Sequence, residues 1–129
     1  MIVLDSSAAV DYLLDAAAAP FVAGQLDAHG LALAPYLVDA EVVSGLRQAV
    51  AAGKLEENRA IVALAHLATL RIVRFPLLRY VSRVWELRHV VTSGDAFFVA
   101  LAEESGAPLV TTDLRLARSH GHRAEILTP

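Results

Sequence analysis

Apolar residues fall along this chain in short unbroken runs, separated by longer stretches in which they recur every three or four positions. Residues 1–4 form the first run and end at Asp5-Ser6-Ser7; residues 8–14 then have helical composition, so strand, polar corner and helix follow without a linker. Residues 20–29 predict a second helix closed by Gly30, and 31–34 a second strand before Pro35 as breaker. Helical spacing resumes over 37–52 and stops at Gly53, then returns over 56–70. Residues 71–75 predict a third strand, and 76 to about 90 a helix opened by Pro76. Ser93 is the expected cap of the apolar helix 96–104, which Gly106-Ala107-Pro108 ends. Strand four is expected at 109–111, a short helix at 113–119 broken by Gly121, and a last strand at 125–127. Short apolar strands alternating with helices predict an α/β fold with a mostly parallel sheet.

At 129 residues the expectation is one domain, 1–129, with no repeat and no low-complexity linker. The hydrophobic fraction of 56% is high, but charges interrupt every long apolar run, so no segment is expected to cross a membrane. The first residues lack a basic region followed by an apolar stretch and a cleavage site, which predicts a cytoplasmic protein. No cysteine is present, which excludes disulfides, thiolate zinc sites and cysteine nucleophiles. Net charge is −3, so no global basic field announces a nucleic-acid ligand, and the apolar, alanine-rich composition suits pairing with itself or a partner.

With thiolates excluded, carboxylates carry the candidate chemistry. In open parallel sheets ligands bind beyond the carboxyl ends of the strands. Asp5 directly follows strand one, Asp113 follows strand four, Asp95 opens the helix leading into strand four, and Glu41 lies one turn into the helix after strand two. Carboxylates brought that close repel one another, and a hard divalent cation removes the conflict; oxygen-only donors favour Mg²⁺ or Mn²⁺ over zinc. Such an ion activates water and offsets charge on a phosphodiester in flight. Ser6, Ser7, Thr111 and Thr112 flank the acids and are candidates to orient them or contact a phosphate.

Each feature has an ordinary structural reading. A lone Asp after a strand is commonly a helix cap or a turn former. Asp11, Asp15, Asp27 and Asp39 are read that way, with Asp39 capping the helix that carries Glu41. The five histidines share no ligand spacing and are read as surface residues. Arg71, Arg74, Arg79, Arg83 and Arg88 are read as a solvated face, paired with Glu86, ahead of a stripe that tracks RNA. Trp85, Phe97 and Phe98 are expected in the core rather than as base-stacking platforms.

Four motifs in order, 2–8, 38–47, 95–102 and 109–113, resemble the PIN domain and, within it, the VapC toxins of bacterial toxin–antitoxin pairs. The resemblance implies a five-stranded parallel sheet in the order 3-2-1-4-5, with Asp5, Glu41, Asp95 and Asp113 binding Mg²⁺ or Mn²⁺ and RNA as substrate. It also implies a homodimer, and a VapB-type antitoxin whose C-terminal segment wraps the toxin and can place an arginine among the acids. Many relatives carry tyrosine where Gly94 stands and another aromatic hydroxyl where Phe98 stands, a departure that bears on substrate positioning.

Three functions follow. The first is a metal-dependent endoribonuclease acting as a toxin, in which a metal-activated water cuts a phosphodiester to leave a 5′-phosphate and a 3′-hydroxyl. The second is a non-catalytic PIN module that holds RNA or a protein. The third, a phosphatase with Asp5 as nucleophile, ranks last because Ser7 stands where a second aspartate is required.

Overall fold

The first strand, β1 (Ile2–Leu4), runs through the middle of the sheet, and all three of its residues are fully buried. A parallel strand covered on both faces needs an unbroken apolar run, so no polar alternation marks it. In this computed structural model, which describes residues Met1–Pro129, β1 pairs with β2 (Ala32–Pro35) on one side and β4 (Leu109–Val110) on the other. β3 (Ile72–Phe75) and β5 (Ile126–Leu127) form the two edges. The sheet is all parallel in the order 3-2-1-4-5, as the resemblance implied.

Seven α-helices flank it: α1 (Ser6–Leu13), α2 (Ala19–His29), α3 (Leu37–Ala51), α4 (Glu57–Thr69), α5 (Val81–Glu86), α6 (Ser93–Ser105) and α7 (Leu114–Ala117). α1 packs on α2 and α3, while α6 packs against β1 and β2. Ala8 and Ala9 are fully buried, and side chains that small let α1 sit close under its neighbours. In α6, Ala96 and every residue from Phe98 to Ala102 are buried, so this helix is apolar nearly all round. Phe98 is the largest fully buried side chain, and its truncation to alanine would cost about 3–5 kcal/mol.

Register decides what the carboxyl edge presents. Leu4 lies opposite Val110, so Asp5 and Thr111 leave the sheet side by side, and the Asp5 N–H donates to the Val110 carbonyl at 3.0 Å.

Several expectations need correction. Residues 76–90 do not make one helix: Leu78–Tyr80 form a 3₁₀ turn, α5 spans only Val81–Glu86, and residues 87–90 turn away. Tyr80 and Leu87 are both buried, and bending the chain around these two anchors interrupts the helical hydrogen bonds. Pro35 ends β2 rather than preceding a break, because the chain continues its pairing one residue further, opposite Phe75. The cap of α6 is Thr92, not Ser93; its hydroxyl accepts from the Asp95 N–H at 3.3 Å. Trp85 is not core: it is 67% exposed, since the short α5 turns it outward, whereas Phe98 is buried and Phe97 packs partly against the core. His29 and His122 are half-buried, and the other three histidines are exposed as expected.

Candidate active site

Asp5 is 2% exposed and stands at the N-cap position of α1, yet its side chain caps nothing. Instead its Oδ2 accepts two hydroxyl hydrogen bonds, from Ser7 at 2.6 Å and Thr111 at 2.7 Å. The two hydroxyls are themselves 3.1 Å apart. Ser7 Oγ also accepts from the Thr112 N–H, and Thr111 Oγ1 from the Asp113 N–H. Thr112 thus takes part through its backbone. The arrangement ties the ends of β1 and β4 together and holds Asp5 by one oxygen.

Glu41 reaches the same corner from α3, where Ser6 Oγ donates to its Oε1 at 3.1 Å. Its other oxygen lies against the start of α6: a methyl group at Gly94 would come 2.9 Å from Glu41 Oε2. Asp95 follows in the first turn of α6. Asp113 caps α7, its Oδ1 accepting from the Arg115 N–H at 2.8 Å. The ordinary reading of an aspartate after a strand therefore holds for Asp113 and fails for Asp5.

Charge links these positions. Burial pushes the Asp5 carboxyl up, the Ser7 and Thr111 hydroxyls pull it down, and the charge of Asp95 raises it again. Burial likewise raises Glu41, against the Ser6 hydrogen bond, with Asp5 and Asp95 adding to the rise. Asp95 is raised by burial, lowered by Thr92, raised by Asp113 and lowered by Arg115. Raised carboxyls facing one another lack a positive charge at their centre.

The chemistry of the donors fits a hard divalent cation: all are oxygens, and no thiolate or imidazole competes. Geometry is more open, because no three acids or histidines lie close enough to grip one ion as they stand. Both side-chain hydrogen bonds fall on Asp5 Oδ2, so no side chain occupies Oδ1 of this most buried acid.

Other residues join or leave the picture. Asp11, read from sequence as a solvated helix face, lines a depression of about 300 Å³ with Ser6, Ser7 and Glu41. The available signal was its place one turn after Ser7 on α1. Asp39 does not cap α3; both its oxygens accept from the Arg74 guanidinium, at 2.7 and 2.8 Å, because the first turn of α3 lies beside β3. Arg83 bonds Glu86 as expected, but it also forks onto Glu103 of α6 at 2.8 and 2.9 Å, and Arg79 pairs with Glu104. Thr92, which the sequence did not point to, borders the site through Asp95, and Gly94, expected to bear on substrate positioning, borders it through Glu41.

The chain is similar to known proteins over nearly its whole length. The model of the PIN domain matches residues 2–120. Ribonuclease VapC12 of Mycobacterium tuberculosis is 42% identical over 126 residues, covering 98% of this chain and 97% of that protein. Ribonuclease VapC1 of the same organism is 41% identical, over 96% of this chain and 94% of its own. Among solved structures, VapBC2 from Rickettsia felis, bound to a DNA fragment from its promoter, superposes with a TM-score of 0.68. It is 18% identical and covers all of this chain and 99% of its own. Mycobacterium tuberculosis VapC20, described as a sarcin-ricin loop cleaving toxin, gives a TM-score of 0.65 at 17% identity, over 91% and 93% of the two chains. With the sheet order, the acids on its carboxyl edge and this full-length similarity agreeing, the chain belongs to the PIN-domain family, among the VapC ribonucleases.

Proposed function

We propose that this protein is a divalent-metal-dependent endoribonuclease, the toxin of a toxin–antitoxin pair, with Asp5, Glu41, Asp95 and Asp113 as its metal-binding and catalytic acids. The observation that carries it is the buried Asp5, held by two hydroxyls on one oxygen, with the carboxyls of Glu41 and Asp95 also pushed above their ordinary values beside it. A structural aspartate would have been capped or ion-paired; this one faces other acids. Bound Mg²⁺ or Mn²⁺ supplies the positive charge that activates a water and offsets charge developing on the phosphodiester.

The remaining work falls to the chain. Ser7 and Thr111 fix the Asp5 carboxylate so that Oδ1 faces the ligand. Ser6 orients Glu41, and Thr92 sets the first turn of α6 and hence Asp95. Asp113 keeps one oxygen on α7 and offers the other.

The same reading makes the protein one domain over 1–129, cytoplasmic and homodimeric, and held inactive by a VapB-type antitoxin. Support comes from the likeness to the Rickettsia felis VapBC2 complex, and no helix here is long and apolar enough to cross a membrane. An apolar groove of about 390 Å³ between α3 and α4, lined by Val43, Val50, Ile61 and Leu64 among others, suits a partner segment.

The test is cleavage. Purified protein with Mn²⁺ or Mg²⁺ is expected to cut total bacterial RNA and to stop when chelated. Calorimetry should give a Mn²⁺ signal that Asp95→Asn removes. A folded protein that cuts no RNA in either metal would sink the proposal.

A further inference from the structure

We infer that the cavity beside the acids, about 380 Å³ and lined by Arg88, His89, Thr92, Asp95, Arg115 and Ser119, is a subsite for an RNA phosphate next to the scissile one. Its volume lies in the range of ligand sites, about 300–1,000 Å³.

The charge pattern carries the argument. Most arginines around β3, α5 and α6 are neutralised: Arg74 by Asp39, Arg79 by Glu104, Arg83 by Glu86 and Glu103, and Arg123 by Glu103. Arg88 and Arg115, like Arg47, Arg59, Arg71 and Arg118, have no carboxylate within ion-pair distance, although the chain as a whole is acidic, with net charge −3. What sets these two apart is that both line the cavity with Asp95 in its wall. Arg88 spends one N–H on the Trp85 carbonyl at 2.8 Å and Arg115 offsets part of the Asp95 charge, so both guanidinium groups keep donors that can receive a phosphodiester oxygen.

Placement favours RNA over an acidic peptide. The Arg88 guanidinium lies 4.5 Å from the ring centroid of Trp85 and covers one face of that indole, which is otherwise 67% exposed. An exposed indole beside a basic hollow offers a stacking face to an unpaired base, as single-strand binders do. A strand whose scissile phosphate meets Asp5, Glu41 and Asp95 would lay its neighbouring phosphate between Arg88 and Arg115 and a base against Trp85. The acids alone repel such a strand; the hollow supplies attraction where they cannot.

The inference rests on the ribonuclease reading, so its test is binding measured apart from cleavage. In an Asp5→Asn background, which prevents cutting, the affinity for a short fluorescein-labelled single-stranded RNA of mixed sequence is followed by anisotropy over a salt series. Arg88→Gln and Arg115→Gln should each weaken binding several-fold and flatten the salt slope by about 0.7. Arg59→Gln, an equal charge change on the exposed face of α4, should leave the slope alone. Trp85→Ala should weaken binding without changing it. In the otherwise unsubstituted enzyme the double arginine variant should raise KM more than it lowers kcat. Unchanged affinity and slope in the double variant would overturn the subsite. So would loss only of antitoxin-peptide binding, which would make the hollow a protein contact. Cleavage that persists with KM unchanged removes the subsite and leaves the ribonuclease standing, whereas RNA bound through the arginines but never cut removes the ribonuclease instead.

Discussion

Two charged regions of this molecule solve opposite problems. Between α5 and α6, Arg83 forks onto Glu103, whose side chain is only 3% exposed, while Glu86, Arg79, Glu104 and Arg123 complete a neutral network of three arginines and three glutamates. At the carboxyl edge of the sheet, Asp5, Glu41 and Asp95 face one another with hydroxyls as their closest partners. The first region is neutralised by folding, whereas the second is left with raised carboxyls and no neutralising partner of its own. A protein keeps like charges together against their repulsion where a ligand repays the cost.

The largest test of that contrast is Asp5→Asn. It should reduce RNA cleavage by on the order of a hundredfold or more, beyond the 10–100-fold typical of lost outer partners of metal ligands. The same substitution should raise the melting temperature of the metal-free protein, because it removes a buried, unneutralised charge. A gel assay and a thermal melt check both halves; lower stability in the metal-free form would show that Asp5 is a structural residue.

Arg83→Ala should do the reverse. It leaves the buried Glu103 with the Arg123 backbone N–H at 2.9 Å and a guanidinium no nearer than 3.5 Å, and should cost about 2–3 kcal/mol in urea unfolding. Cleavage per folded molecule should hardly change.

Titration separates the two regions by sign. The carboxyls of Asp5, Glu41 and Asp95 are held above their ordinary values of 3.8, 4.5 and 3.8. The folded state therefore keeps protons that the unfolded state has lost, and stability falls as pH rises from the ordinary values through the raised ones. Glu103 is held below its ordinary 4.5, chiefly by Arg83, so its contribution is present above 4.5 and is lost as pH falls through the depressed value. Melting curves of the metal-free protein should fall with rising pH in the first window; Mn²⁺ should restore the loss, and Asp5→Asn should flatten it. A curve that rises through that window would refute the electrostatic account.

The smallest effect is expected at Gly94. Alanine there should gain up to about 1 kcal/mol of helix stability, yet it forces the Glu41 carboxylate to move, since the added methyl would lie 2.9 Å from Oε2. The outcome sought is a modest rise in melting temperature with a changed metal affinity, read by calorimetry.

Some of this was legible along the chain because it depends on local spacing. The unbroken run at β1 signals a strand buried on both faces, and the acids after β1 and β4 fall on the edge where parallel sheets bind ligands. Thr92 and Ser93 are both competent caps, and only the path of α6 selects the first. Helical periodicity over 76–90 does not reveal that Tyr80 and Leu87 pull the chain into two turns and push Trp85 outward.

By itself the sequence determined the alternation of elements, the four acids and the absence of any soft metal ligand. Tertiary structure alone decided how the charges are spent. Local spacing places Asp39 as a cap and Arg83 beside Glu86, but the partners that matter, Arg74 and Glu103, lie 35 and 20 residues away. The same packing decided that Asp113 caps its helix while Asp5 does not, because the register of β1 against β4 brings Thr111 to Asp5 from 106 residues along the chain. Hydrogen bonds and Coulomb interactions act through space, and a linear pattern records only the part of them that falls within a few turns.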